Sequence, residues 1–179
     1  MSKEKTITSK QVYSGKVLSL RVDEVRISDK KTSTREIVTH GGAVCAVGIN
    51  KEGKIILVKQ YRKSLESEMI EVPAGKLDPG EMPEAAIIRE FIEETGYSVE
   101  NVKHMSSFNT SPGFSNEVVH LYFLDAVEKG ETDFDEDEDI EILEYSLDEI
   151  KAMIYKQEIV DAKTILGIMM YSDYTKKEL

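Results

Sequence analysis

One stretch, GKLDPGEMPEAAIIREFIEETGY from Gly75 to Tyr97, constrains the chain more than any other. Pro83 to Thr95 has helical periodicity, with Pro near its first turn and Gly96 where a C-terminal cap belongs. With Glu90 at the origin of a helical wheel, Glu94 lies about 40° to one side and Glu93 about 60° to the other, at ~100° per residue. Ala86 shares that face and leaves room above it. Ala85, Ile88 and Ile92 gather opposite, which predicts that side as the core side. Arg89 precedes Glu93 by four residues, within reach of an ion pair. It is the one offsetting cation, since no Lys occurs between Lys76 and Lys103. Three clustered carboxylates repel one another, so a merely solvated face explains them poorly. Hard divalent cations such as Mg²⁺ prefer carboxylate oxygens and water, and often bridge to substrate phosphates.

The charge sum does not exclude an anionic substrate, provided that metal cations bridge the charge. Lys plus Arg number 23 against 34 Asp plus Glu, a net charge of −11. That balance argues against a general nucleic-acid binder, which needs a basic patch. The 179 residues are enough for one domain, or a domain with a small appendage, around a sizeable core. The longest apolar runs, Ala43 to Ile49 and Ile55 to Val58, fall far short of the ~20 residues of a membrane helix. The start, MSKEKTITSK, carries no apolar secretory core. Cys45 is the single cysteine and sits in an apolar run, which predicts a buried, inert thiol. These features predict a cytoplasmic protein with no membrane or nucleic-acid partner.

Gly15 to Thr39 alternates apolar and polar residues and predicts a hairpin turning at Ser28–Ser33. Ala43–Ile49 and Lys54–Gln60 read as two buried strands joined by a turn at Gly53. Glu68–Pro73, Val102–Phe108, Val118–Ala126 and Ile140–Tyr145 read as further extended stretches, the last with Ile140, Ile142 and Glu144 on one face. Leu147–Tyr155 and Val160–Tyr171 read as helices. Strands on both sides of a central helix favour an α+β layered arrangement over a doubly wound parallel sheet.

Gly75, Glu81, Arg89, Glu90, Phe91, Glu93, Glu94, Gly96 and Tyr97 fall in register with the signature of the Nudix hydrolases, which the segment resembles. The resemblance implies an α/β/α sandwich around a mixed sheet, and hydrolysis of a nucleoside diphosphate linked to another group. It implies Glu90 and Glu94 as the main metal ligands and Glu93 as a ligand or base. The Ala74 carbonyl is implied as a further ligand. Glu81 and Arg89 match positions that orient the helix carboxylates, and Gly75 opens the motif.

Downstream, SPGFSNE spans Ser111 to Glu117, with Pro112 sixteen residues after Gly96. This resembles the ADP-ribose pyrophosphatase branch, and implies substrate contacts at Pro112 and Gly113 and a catalytic role for Glu117 near the metals. REIVTHGGAV (Arg35–Val44), KQYR (Lys59–Arg62) and EIVDAKTILGIMM (Glu158–Met170) resemble the same branch, which implies substrate-binding roles for Arg35 and Arg62. Gly41 after His40 departs from the branch's usual Pro. The implied reaction converts ADP-ribose and water to AMP and ribose 5-phosphate with Mg²⁺, or Mn²⁺ in its place. A related nucleoside diphosphate sugar or dinucleotide is the alternative substrate. A non-catalytic nucleotide sensor is the alternative class, though none of the motif carboxylates is lost.

The resemblance divides the chain into an N-terminal β-hairpin extension, residues 1–40, and a hydrolase domain, residues 41–179. Such an extension serves homodimerisation in relatives, which implies a homodimer here in which Arg35 reaches the partner's site. Asp133, Asp135, Asp137 and Glu144 imitate a calcium loop, but Glu138 stands where Gly belongs, and a solvated loop is preferred. His40, His104 and His120 have no zinc spacing.

Overall fold

The computed structural model describes residues 4–130, 132 and 139–176. The acidic segment 133–138 lies outside the described residues, so the calcium-loop pattern is not placed there. Glu144 is engaged elsewhere: it accepts hydrogen bonds from Asn50 Nδ2 at 3.0 Å and Tyr97 Oη at 2.9 Å. By its contacts the chain divides into two compact units, Met1–Gly42 with Ser107–Val119, and Ala43–Ser106 with His120–Leu179.

The first unit carries a three-stranded antiparallel sheet in the order β1-β2-β3, with β1 Lys5–Ser14, β2 Leu18–Ser28 and β3 Lys31–His40. The expected hairpin is β2–β3, turning at Asp29–Lys30. β1 was not expected. Every residue of it is exposed, so no apolar face marks it, and it exists by pairing with β2. The turn Ser111–Asn116 lies along the free edge of β3. Val38 N donates to Phe114 O at 2.8 Å, and Asn116 N donates back to Val38 O at 3.3 Å.

The second unit is built on a seven-stranded sheet. Its path runs β10 (Ile140–Tyr145), β5 (Ile55–Arg62), β4 (Ala43–Ile49), β9 (Val118–Lys129) and β8 (Tyr97–Asn109). β6 (Ser67–Glu71) pairs with β5, and β7 (Ala74–Lys76) pairs with β4. Alternation along β4 separates two cores, because neighbouring side chains leave a strand on opposite faces. Val44 and Ala46 join Ile56, Ala86, Ile87 and Phe91 in the core beneath α1 (Pro83–Thr95). A Cβ on Gly48 would collide with the Phe91 ring, so this glycine lets the helix sit close. Val47, one residue away, meets α3 (Ala162–Thr175), where a Cβ on Gly167 would stand 3.0 Å from its Cγ2. Helices thus cover both faces, as the α/β/α sandwich requires. Full burial of Phe91 alone is worth about 2–3 kcal/mol.

α2 (Leu147–Tyr155) opens on a capping box in which Ser146 and Glu149 satisfy each other's backbone amides. α3 starts two residues later than the periodicity suggested, because Asp161 is its N-cap and accepts from Thr164 N at 2.9 Å. Cys45 is buried, as expected, and burial pushes its thiol up to about 12. No described helix is long and apolar enough to cross a membrane.

Candidate active site

α1 has no side-chain N-cap, and Pro83 in its first turn removes one of the N–H groups that a cap would otherwise satisfy. It ends at Gly96, whose φ of 71° places it in the left-handed region and whose N–H caps Ile92 O at 2.8 Å. The expected core side of this helix is wrong. Ala85 and Ile92 are exposed and Ile88 is only partly buried, whereas Ala86, Ile87, Phe91, Glu94 and Thr95 are buried. The reactive face and the core face are adjacent, not opposite. Glu94 sits 40° from Glu90 toward Phe91, so it goes under with the core and is 4% exposed. A wheel drawn from apolar residues alone assigns no burial to a carboxylate, and so it turned the helix the wrong way.

The burial of Glu94 is compensated. Its Oε2 accepts the Ala74 N–H at 3.0 Å. Glu90 reaches the next residue of the same strand, since a Cβ on Gly75 would overlap its carboxyl group. Any side chain at position 75 would displace Glu90, which accounts for the glycine. Ala74 and Gly75 therefore receive both of the carboxylates implied as main ligands.

Arg89 gathers the remaining acids. Its Nε and Nη2 hold Glu81 at 3.1 Å each. Its Nη1 reaches Glu93 Oε2 and Glu90 Oε1, both at 3.0 Å. Asp78 N also donates to Glu81, at 3.1 Å. The Arg89 hydrogen bonds hold the Glu81 carboxyl below its ordinary range, and Glu81 in turn raises the Arg89 guanidinium. Arg89 thus contacts Glu81, Glu90 and Glu93 together.

Among the described residues no group of three or more His, Cys, Asp or Glu side chains stands at metal-holding spacing. The donor set nevertheless fits a hard divalent cation. It consists of carboxylate and backbone oxygens only, and Glu90 and Glu94 converge on the Ala74–Gly75 backbone.

Arg62 ends β5 in the same unit. It grips Glu71 with Nε at 2.7 Å and Nη2 at 2.8 Å. That hydrogen bond is the first cause of its raised pKa, and the charge of Glu94 contributes as well. Arg62 therefore lies within electrostatic reach of the Glu94 carboxylate.

The first unit brings together three other expected residues. Arg35, Pro112 and Gly113 line one hollow of about 340 Å³, with the exposed ring of Phe114 beside them. Arg35 is paired with Glu4, its Nε 3.1 Å from Oε2, a partner the sequence did not suggest. Glu117 accepts from Thr110 Oγ1 and lies 3.4 Å from His40 Nδ1. That nitrogen also accepts from Gly42 N at 3.1 Å.

The sequence also missed a buried network around Glu71. Lys163 Nζ bonds Glu71 and lies 3.1 Å from Asp161 Oδ2. Thr164 Oγ1 donates to Asp161 at 2.6 Å and accepts the Val72 N–H at 2.8 Å. The one available signal was the cap spacing of Asp161 and Thr164.

Fold and helix together define the class: an α/β/α domain that carries its reactive carboxylates on one helix against a short strand of the sheet. The NUDIX domain pattern matches residues 39–166, and the chain belongs to the Nudix family. It is 46% identical to a methanol dehydrogenase activator of Bacillus methanolicus, over 92% of this chain and 90% of that one. It is 44% identical to an ADP-ribose pyrophosphatase of Bacillus subtilis, with the same coverage. A third relative, an ADP-ribose pyrophosphatase of Mycobacterium tuberculosis, is 34% identical over 92% of this chain and 81% of its own. The fold matches the crystal structure of an ADP compounds hydrolase with a TM-score of 0.88, covering 99% of this chain and 97% of that chain at 17% identity. Nudix hydrolases generally use divalent metals.

Proposed function

We propose that the chain hydrolyses the diphosphate bond of ADP-ribose to AMP and ribose 5-phosphate, with Mg²⁺ as cofactor and Mn²⁺ as a substitute. The 44% identity to an ADP-ribose pyrophosphatase, spread over 92% of the chain, carries this reading. The unbroken set Glu81, Arg89, Glu90, Glu93 and Glu94 supports catalysis over passive nucleotide sensing.

Glu90 and Glu94 would hold the metal, with the Ala74 carbonyl and Glu93 as further donors. When bound, the metal neutralises diphosphate charge and lowers the pKa of a coordinated water. Arg62 offers a guanidinium suited to phosphate. Arg89 keeps Glu81, Glu90 and Glu93 in place, so little reorganisation accompanies the reaction. Glu117 would serve as base toward the attacking water, and Arg35, Pro112 and Gly113 would contact the substrate.

We assign residues 1–40 to an extension that joins two copies and residues 41–179 to the hydrolase domain. Exposed Ile7, Val12, Tyr13, Val17 and Leu18 in the first unit support a homodimer. The setting is cytoplasmic. A hydrolysis panel with Mg²⁺ tests the substrate: ADP-ribose, ADP-glucose, GDP-mannose, NADH and diadenosine polyphosphates. Turnover of ADP-ribose no faster than of the others would defeat the assignment. The 46% identity to the methanol dehydrogenase activator favours a second reading, stimulation of a dehydrogenase. Adding the chain to a methanol dehydrogenase assay separates the two.

A further inference from the structure

We infer that Lys163 is a positioning residue for the diphosphate: it shares the buried charge of Glu71 so that Arg62 remains a cation toward substrate. The inference rests on the proposed nucleoside diphosphate reading, and it assigns a role to a residue of the third helix that neither the signature nor the sequence pattern singled out.

Glu71 is 3% exposed, at the end of β6. A buried carboxylate must be paired and hydrogen-bonded. Arg62 supplies two bonds, one to each oxygen, and Lys163 adds a third on Oε2. Arg62 is 38% exposed at its side chain, and its Nη1 donates to no described residue. The guanidinium is therefore fixed on its inner edge and open on its outer one, which suits a bidentate anion clamp. An Arg62–Glu71 pair alone would be neutral as a unit, with little attraction for phosphate.

Lys163 takes a share of the same carboxylate. Its own second partner, Asp161, is the N-cap of α3 and is offset by the helix's amide ends. Arg62 and Lys163 balance Glu71 and Asp161, two cations against two anions. With Asp161 held at the amide ends of α3, it is Lys163 that shares the Glu71 carboxylate with Arg62. The same helix end fixes the backbone that follows Glu71. Thr164 holds the Val72 N–H, Pro73 O accepts from Ala46 N at 3.0 Å, and Ala74 N–H holds Glu94. Two residues, Val72 and Pro73, separate Glu71 from Ala74, so the network and the carboxylate site are joined by the short link between β6 and β7.

A double-mutant comparison tests this, with Lys163→Met, Lys163→Arg, Arg62→Ala and Arg62→Ala/Lys163→Met. KM and kcat for ADP-ribose are measured beside calorimetric affinity for ADP and melting temperature. Lys163→Met should raise KM and weaken ADP binding about five- to tenfold, with kcat within about twofold. Lys163→Arg should recover most of the loss. The double variant should bind no more weakly than Arg62→Ala, because Lys163 acts through Arg62. The inference is overturned if Lys163→Met lowers only the melting temperature. Multiplying losses in the double variant overturn it equally. If Lys163→Met does not fold, Lys163→Gln carries the same comparison. Should the wild type fail to cleave ADP-ribose, the substrate assignment falls, and ADP affinity across the same variants still decides the role of Lys163.

Discussion

Arg62 and Arg35 are both expected to meet substrate, yet the chain treats them differently. Arg62 grips a carboxylate that is 3% exposed, backed by Lys163 and the cap of α3. Arg35 pairs with Glu4, and the two side chains are 37% and 39% exposed. The first arrangement is set by burial, where an unpaired charge is intolerable. The second is a surface pair worth ~1 kcal/mol or less, easily exchanged for another anion. The seven-stranded unit therefore holds its site ready, whereas the N-terminal unit offers residues that a ligand or second subunit can recruit.

The strongest test of this contrast is Glu94→Gln. The amide keeps an oxygen to accept the Ala74 N–H but loses the charge a metal needs. Activity should fall by about 10³-fold or more, in line with removal of a major electrostatic contributor. Without metal the variant should melt at or above the wild-type temperature, because a buried charge is gone, and Mg²⁺ should raise its melting temperature little. Melting well below the metal-free wild type would mean that Glu94 is structural.

Glu117→Gln probes the other unit. A positioned carboxylate acting on water contributes about 10²- to 10⁴-fold. The loss should appear in kcat with KM little changed. Near-normal turnover would return the base role to Glu93.

Arg89→Met should cost about 10- to 100-fold in activity, the usual effect of removing a residue that orients ligands. The loss should shrink at high Mg²⁺ if orientation is what Arg89 supplies. A loss independent of metal concentration would argue for direct contact with substrate.

Two further tests concern stability and assembly. Burial alone would raise the Glu71 carboxyl, but the Arg62 hydrogen bonds and Lys163 charge hold it at about 2, against 4.5 for a free carboxyl. A depressed folded-state value means stability that is complete above about 4.5 and lost as pH falls toward 2, worth about 3 kcal/mol. Glu71→Gln should be less stable than wild type at pH 7, and the gap should close by pH 2. In the first unit, Val12→Lys should shift the mass by light scattering from dimer to monomer with little change in melting of the isolated subunit. An unchanged mass would remove Val12 from the proposed interface.

Much of the reactive helix was legible in sequence because its information is local. Pro83 and Gly96 mark its ends, and the spacing of Glu90, Glu93 and Glu94 fixes their angles on any helix. Arg89 reaches Glu93 four residues on, as helical spacing predicted. The hairpin β2–β3 and the strands β4 and β5 were legible through alternation and turn residues. The direction in which α1 faces the sheet was not. That depended on Gly48 leaving room for Phe91 and on Ala74 offering an amide to Glu94, contacts across 43 and 20 residues of chain. β1 was invisible because a fully exposed strand needs no apolar pattern, only a partner edge. The Arg62–Glu71–Lys163 cluster was invisible because its members stand 9 and 92 residues apart. By itself the sequence determined which carboxylates share a helix face. Only the tertiary structure decided which of them are buried and which cations they hold, because the cost of burying a charge depends on partners that folding alone assembles.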